Sequence, residues 1–234
     1  MKPLVPIAGM SRRDAIRAIA LALTAGGGMI SPAEAQHVHA ATAAERDANG
    51  AYKPKLLTDH EYETVTRLAG LIVPADEKSG SAADAGAAEF IDLLCSQNPE
   101  LAAIYTGGIL WLDGEMRRRH DKTFLAATES QRTGMLDDLV AADRAENERR
   151  ARNGEATGDG PYSHFAEYGV EKPGPLGPGV RFFGWVRNMS VDAYYTSPMG
   201  IKDVGYVGGG SVSEYDVPKE AIDYAMARLP FKTA

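Results

Sequence analysis

The five histidines are the first candidates for chemistry in this sequence, because imidazole is both a metal ligand and an acid–base group near neutral pH. Only His37 and His39 lie close together, and a structural metal site needs about four ligands in fixed geometry. Neither an H-E-x-x-H nor a G-x-S-x-G pattern occurs, so no signature of a zinc peptidase or an α/β-hydrolase is present. We therefore expect no metal site and no catalytic residue on this chain.

Two further patterns could do chemistry, and both have simpler explanations. The acidic neighbours Asp137 and Asp138 point in different directions from a helix, which does not suit a pair of carboxylates sharing a proton. The run G-Y-V-G-G-G at 205–210 lacks the G-x-G-x-x-G spacing and the strand–helix frame of a dinucleotide-binding loop, so it is expected to be a turn. No cofactor is expected on this chain.

The composition excludes several partners and cofactors. The chain carries 25 basic and 32 acidic residues, a net charge of −7, and such an acidic protein is poorly suited to nucleic acid. Its single cysteine, Cys95, cannot form a disulfide within the chain, ligate an iron–sulfur cluster or make a C-x-x-C-H haem attachment. Any redox chemistry associated with this protein is therefore expected to take place on another chain.

Helical periodicity dominates the sequence, which predicts a mainly α fold. Thr58–Glu61 and Thr128–Gln131 read as capping boxes that begin two helices. Strand patterns are confined to 203–207 and 211–215. We predict a single helical domain over 57–234 with long irregular loops, and its helices run from 59 to about 73, 87 to 95, 100 to 120, 129 onward, 180 to 195 and 218 to 229.

The first 35 residues have the three parts of an export signal. Arg12 and Arg13 stand in the sequence S-R-R-D-A-I-R, and a mild apolar run follows that is too short to span a bilayer, which needs about 20 apolar residues. Ala33 and Ala35 form an A-x-A pattern, which predicts cleavage after Ala35. Paired arginines in this register resemble the twin-arginine signal, which bacteria use to export folded proteins. The small, polar residues 36–56 are expected to form a flexible arm.

Aromatic residues are concentrated along the predicted helix at 180–195, and a tyrosine lies in the glycine-rich segment after it. Phe183, Val186 and Val191 are better explained as core residues. Aromatic side chains that cannot share that face are typical of partner surfaces. The residues expected at a partner interface are Phe182, Trp185, Tyr194, Tyr195 and Tyr206.

Several segments together resemble a known family. They are L-T-x-x-E-Y-x-T-V-x-R-L-A-G-L-I-V-P-A-D from Leu57 to Asp76, A-G-A-A-E-F-I-D-L-L from Ala85 to Leu94, F-F-G-W-V-R, and D-A-Y-Y-T-S-P-x-G-I-x-D-V-G-Y-V-G up to Gly208. In this order, behind a paired-arginine leader, they resemble the gluconate 2-dehydrogenase subunit 3 family. The last segment, with its three glycines at 208–210, matches that pattern loosely.

The resemblance implies a non-catalytic small subunit of a bacterial periplasmic sugar or polyol dehydrogenase complex. Its implied partners are a catalytic flavoprotein of the glucose–methanol–choline type that binds FAD, the twin-arginine translocase and, in related complexes, a multihaem cytochrome c that passes electrons to the respiratory chain. The implied location is the periplasm, with any membrane association made through the complex. The hypothesis is that the small subunit escorts and stabilises the flavoprotein. Two alternatives stay open: a stand-alone periplasmic protein that binds a small ligand, and an independent sugar-modifying enzyme using a carboxylate and a tyrosine from 192–206.

Overall fold

The structure, a computed structural model, describes residues 11–26, 30–154, 173–206 and 217–228. Within these ranges the regular structure is helical, which confirms the predicted mainly α fold. The chain divides into two compact units, Met1–Val204 and Gly205–Ala234. The first unit contains α1 (Arg12–Gly26), α2 (Pro32–Asn49), α3 (Asp59–Ile72), α4 (Ala87–Cys95), α5 (Pro99–His120), α6 (Glu129–Arg152), α7 (Gly177–Tyr195) and α8 (Pro198–Asp203), and the second contains α9 (Lys219–Met226).

Capping boxes begin α3 and α6, as the sequence predicts. The hydroxyl of Thr58 accepts a hydrogen bond from the Glu61 amide, and the Glu61 carboxylate accepts one from the Thr58 amide at 2.9 Å. Thr128 and Gln131 form the same reciprocal pair at the start of α6. Each box satisfies two backbone amides that would otherwise lack partners at the helix end.

The prediction of a flexible arm over 36–56 is wrong for residues 36–49, which belong to α2. Ser31 and Glu34 form a third capping box before this helix, and Gly50 ends it with a left-handed φ of 74°. Ala35, Val38 and Thr42 form its buried face. Because these three side chains are small or polar, their helical spacing hardly appears in a hydropathy pattern, and the sequence alone does not reveal the helix.

The strand expected at 203–207 is also wrong for its described part. Asp203 is the last residue of α8, and residues 204–206 form a turn and an irregular end. The second expected strand, at 211–215, and most of the glycine-rich turn at 205–210 lie outside the described residues.

Helix α7 is central to the first unit, because α3, α4, α5 and α6 all pack against it. Helix α4 lies beside it and is buried along almost its whole length, with only Glu89 partly exposed. The large buried side chains of this core come from several helices and include Leu68, Phe90, Ile91, Leu94, Tyr105, Ile109, Leu112, Met116, Met135 and Val186.

Two glycines allow α5 and α7 to approach closely. A Cβ atom added at Gly108 of α5 would lie 2.1 Å from the ring of Phe182. In the reverse direction, a Cβ atom at Gly179 of α7 would lie 2.1 Å from the ring of Trp111. Each helix therefore places an aromatic ring over a glycine of the other. The neighbouring Gly107 has nothing within 4 Å of its would-be Cβ atom, so the two adjacent glycines of α5 have different environments.

This difference predicts opposite effects of alanine at adjacent positions. Gly108→Ala should lower the free energy of unfolding by about 2 kcal/mol, because the methyl group forces the Phe182 ring away. Gly107→Ala is the matched control and should be neutral or stabilising by up to ~1 kcal/mol, since alanine favours the helix. Urea unfolding followed by tryptophan fluorescence measures both. Equal effects of the two substitutions would contradict the close approach.

Candidate partner interface

Asp92 joins the segment before α3 to helix α4. Its side chain is fully buried, and its two oxygens accept four hydrogen bonds. Oδ2 accepts from the Tyr52 hydroxyl and the Lys55 amide, both at 2.7 Å, and Oδ1 accepts from the amides of Leu56 at 3.1 Å and Leu57 at 2.8 Å. The aspartate of the F-I-D motif therefore uses its acceptors within the chain, as a structural junction.

The L-I-V-P-A-D motif forms a second junction, in the loop that follows α3. Asp76 Oδ1 accepts hydrogen bonds from the amides of Lys78 and Ser79, both at 2.8 Å, which closes a tight turn. The hydroxyl oxygen of Tyr194 lies 2.8 Å from Ser79 Oγ and 3.0 Å from Asp203 Oδ2. Tyr194 thus connects the loop to α7 and α8.

The Y-Y-T-S-P-x-G motif makes the corner between α7 and α8. Ser197 Oγ donates to the carbonyl of Tyr194 at 2.7 Å and accepts from the amide of Gly200 at 3.0 Å, so it closes one helix and caps the next. Pro198 occupies the first turn of α8, where its missing amide hydrogen costs nothing. A Cβ atom at Gly200 would lie 2.1 Å from the Tyr194 carbonyl oxygen, which requires glycine there.

The structure separates the five aromatic residues predicted at a partner interface. Phe182, Trp185 and Tyr194 are 3%, 3% and 2% exposed, so they belong to the core, and the expectation that they lie on an exposed face is wrong. Helix α7 is surrounded by other helices, so more than one of its faces is buried. Tyr195 is 46% exposed in the first unit, and Tyr206 is 63% exposed in the second. These two remain candidates for contact with a partner.

Sequence reasoning missed other exposed apolar residues. Leu110 is 72% exposed on α5, and Gly107 and Gly114 on the same helix face are also exposed. The buried residues Ile109 and Leu112 lie towards the core, so the helical register of α5 could have indicated that Leu110 points outward. The other missed residues are Leu21, Leu56, Val140 and Val204 in the first unit and Ile222, Tyr224 and Met226 of α9.

The residues of the predicted export signal lie in the first two helices. Arg12 and Arg13 are in the first turn of α1. Ala33 and Ala35, at the predicted cleavage site, are in the first turns of α2, and Ala35 is fully buried. Cleavage after Ala35 stays a prediction.

A small polar cluster joins α2 to the C-terminal end of α7. The side-chain Nε2 of Gln36 donates to the Thr196 carbonyl at 2.6 Å, and His39 Nε2 lies 3.0 Å from Thr196 Oγ1. Burial lowers the pKa of His39 to about 4. Asp192, one helical turn before Thr196, has a buried Oδ2 atom without a hydrogen-bond partner among the described residues, and burial raises its pKa to about 6. Both groups are therefore stabilised in their neutral forms.

Metal-binding and membrane-spanning features are not found among the described residues. No group of three or more His, Cys, Asp or Glu side chains in that part of the chain could hold a metal ion. No helix in the same residues is long and apolar enough to cross a bilayer. Cys95 is buried, and this burial raises the pKa of its thiol well above the usual range.

The family assignment follows from a match over most of the helical unit. The family model described as gluconate 2-dehydrogenase subunit 3 matches residues 59–208, more than half of the chain. The chain belongs to this family. Neither a curated protein nor a solved structure matches the chain significantly. By its description, the gluconate 2-dehydrogenase subunit 3 family is a subunit of a dehydrogenase.

The match to gluconate 2-dehydrogenase subunit 3 begins at the first residue of α3 and extends beyond α8, so α1 and α2 precede it. The matched region contains Asp92, Asp76, Ser197 and Gly200, each of which makes a junction between elements of the fold. The segments that carry the resemblance therefore have a structural explanation in this protein, and its outward-facing apolar residues are the candidates for contact with other subunits.

The cluster of His39 and Asp192 predicts two opposing effects of pH. Between about pH 6.5 and pH 4 the unfolded chain protonates His39 while the folded chain does not, so this residue lowers stability as the pH falls. Between about pH 6 and the usual aspartate pKa near 3.8, the folded chain binds a proton at Asp192 that the unfolded chain lacks, so this residue raises stability as the pH falls.

Substitution should separate the two effects. The quantity compared is the free energy of unfolding of each variant minus that of the unmodified protein. When the pH is lowered from 6.5 to 4.5, this difference should rise by roughly 2 kcal/mol for His39→Gln and fall by roughly 2 kcal/mol for Asp192→Asn. Urea unfolding of the three proteins at both pH values gives these differences, because the remaining titratable groups are common to all. Parallel pH profiles for the three proteins would contradict the assignment.

Proposed function

We propose that this chain is the non-catalytic accessory subunit of a periplasmic, FAD-dependent sugar or polyol dehydrogenase complex, and that it escorts the catalytic flavoprotein through the twin-arginine route. The observation that carries the proposal is the gluconate 2-dehydrogenase subunit 3 match over residues 59–208. The S-R-R-D-A-I-R segment supports it, because that segment precedes the matched region in the same chain.

The escort role has a physical rationale. A flavoprotein acquires FAD while it folds in the cytoplasm, so it has to cross the membrane in the folded state. The twin-arginine route accepts folded proteins. A catalytic chain without its own leader would leave the cytoplasm only when bound to a chain that has one. In this arrangement FAD stays on the catalytic partner, and a cytochrome c with haem, where a complex contains one, is a third subunit.

Each unit is proposed to contact partners through its own exposed apolar residues. In the first unit these include Tyr195 at the end of α7 and Leu110 on α5, and in the second unit they include Tyr206. Tyrosine contributes strongly to binding at interfaces because its ring buries a large apolar area at a small cost in conformational entropy. Phe182, Trp185 and Tyr194 contribute indirectly, by holding α7 in place.

The two alternatives predict different behaviour of the purified chain. A ligand-binding protein would show a rise in melting temperature with its ligand and without a partner. An independent enzyme would oxidise a sugar with an artificial electron acceptor. The accessory role predicts neither bound flavin nor dye reduction by the chain alone, and activity only after the flavoprotein is added.

Removal of the paired arginines should block export of both chains. In cells that express this chain with its catalytic partner, Arg12→Lys combined with Arg13→Lys should move sugar dehydrogenase activity from the periplasmic fraction to the cytoplasm. Arg17→Lys is the matched control, since it makes the same chemical change one turn later and should leave export intact. Periplasmic activity that survives the double substitution would refute the escort role.

Tyr195 offers a test of the proposed surface. Tyr195→Ala should weaken binding to the flavoprotein by about tenfold or more, because an exposed aromatic anchor is lost. The melting temperature of the chain alone should fall by only a few degrees, since the side chain is 46% exposed and its main internal contact is the edge-to-face packing on Tyr194, with 5.0 Å between ring centroids. Tyr195→Phe retains the ring and should bind nearly as well as the unmodified protein. Binding measured by titration calorimetry that is unchanged in Tyr195→Ala would exclude this residue from the interface.

A further inference from the structure

The leader helix α1 packs against the domain that it is expected to export. Its buried side chains occur at the spacing i, i+3, i+4 and i+7, which gives one apolar face. This face packs against α2, α4 and α5. Its members are Ile16 and Ile19, each 6% exposed, and Ala20 and Leu23, which are fully buried. The opposite face, with Arg17, Ala18, Leu21 and Ala22, is exposed.

Asn98 makes a specific polar contact with this helix. Its side chain is buried, and its Nδ2 atom donates a hydrogen bond to the backbone carbonyl of Ala20 at 2.6 Å. Its Oδ1 atom accepts hydrogen bonds from the amides of Glu100 at 2.9 Å and Leu101 at 3.2 Å, which caps α5. One amide group thus caps α5 and holds α1. Ala20 itself is fully buried, and its small side chain is compatible with this close packing of α1.

Further contacts lie at the two ends of this leader segment. Ser11 Oγ accepts a hydrogen bond from the amide of Asp14 at 3.2 Å, which caps α1. At the other end, Ala35 and Val38 of α2 belong to the same buried core as Leu23. The predicted cleavage site therefore lies within a packed helix, whereas a protease needs its substrate in an extended conformation.

We propose that α2, α4 and α5 form a docking site for the chain's own leader helix, in which Asn98 recognises the backbone at Ala20. In this docked state the segment that contains the paired arginines is held as a helix against the domain. The consequence for export rests on the proposed function: the translocase has to compete with the docking site for the leader. The docking itself is independent of any partner chain.

The matched pair Ala20 and Ala22 allows a direct test. The full chain is purified from the cytoplasm of cells that lack the twin-arginine translocase, so that the leader is retained. Hydrogen exchange is then measured for the unmodified chain, Ala20→Asp and Ala22→Asp. Both substitutions add the same charge to the same helix and reduce its helix propensity equally, but Ala20 is buried and Ala22 is exposed.

We expect the amides of 16–23 to be protected in the unmodified chain and in Ala22→Asp. In Ala20→Asp they should exchange at least tenfold faster, and the melting temperature should fall by about 5 °C or more. Equal exchange in the two variants, or rapid exchange of these amides in the unmodified chain, would overturn the proposal.

Asn98→Asp provides a second variant that keeps the fold. Aspartate still caps α5 through its oxygens but cannot donate to the Ala20 carbonyl. The amides of α1 should therefore exchange faster while those of α5 stay protected, and unchanged exchange in α1 would contradict the role of Asn98. None of these measurements involves the flavoprotein, so a failure of docking and a failure of the escort role give separate results.

Discussion

The close approach of α5 and α7 is the contact on which the other features depend. Glycines at 108 and 179 bring the two helices together, and each glycine is covered by an aromatic ring of the opposite helix. From this pair, the N-terminal end of α5 holds α1 through Asn98, and the C-terminal end of α7 holds the loop after α3 through Tyr194. A shift between α5 and α7 would therefore displace both distant junctions.

The segments that resemble the family act as joints of the scaffold. The F-I-D aspartate accepts hydrogen bonds from the segment at 52–57, which precedes α3. The L-I-V-P-A-D loop is hydrogen-bonded to Tyr194, and the S-P-x-G segment forms the corner between α7 and α8. The polar side chains of these segments thus use their hydrogen-bonding groups within the chain, where they stabilise the scaffold.

Much of the fold could be predicted from sequence, because local signals decided it. The capping boxes at Thr58 and Thr128 fixed two helix starts, and the large apolar residues of α3, α4 and α5 have clear helical spacing. Helix α2 was missed because its buried face is formed by Ala35, Val38 and Thr42, which are small or polar. The sequence places Phe182, Trp185 and Tyr194 at a partner interface although they are buried, because the number of helices packed around α7 decides which of its faces are buried. Tertiary packing determines that number, and it cannot be predicted from the sequence of α7 alone.

The position of Cys95 has a consequence for damaged copies of the protein. The thiol sits at the end of the most deeply buried helix, so it is inaccessible as long as the core is intact. In the periplasm proposed for this protein, which is oxidising, unfolding would expose this thiol, and two such chains could then be joined through a disulfide. Loss of the native fold would then become irreversible, and misfolded molecules would be marked as cross-linked dimers that the intact protein does not form.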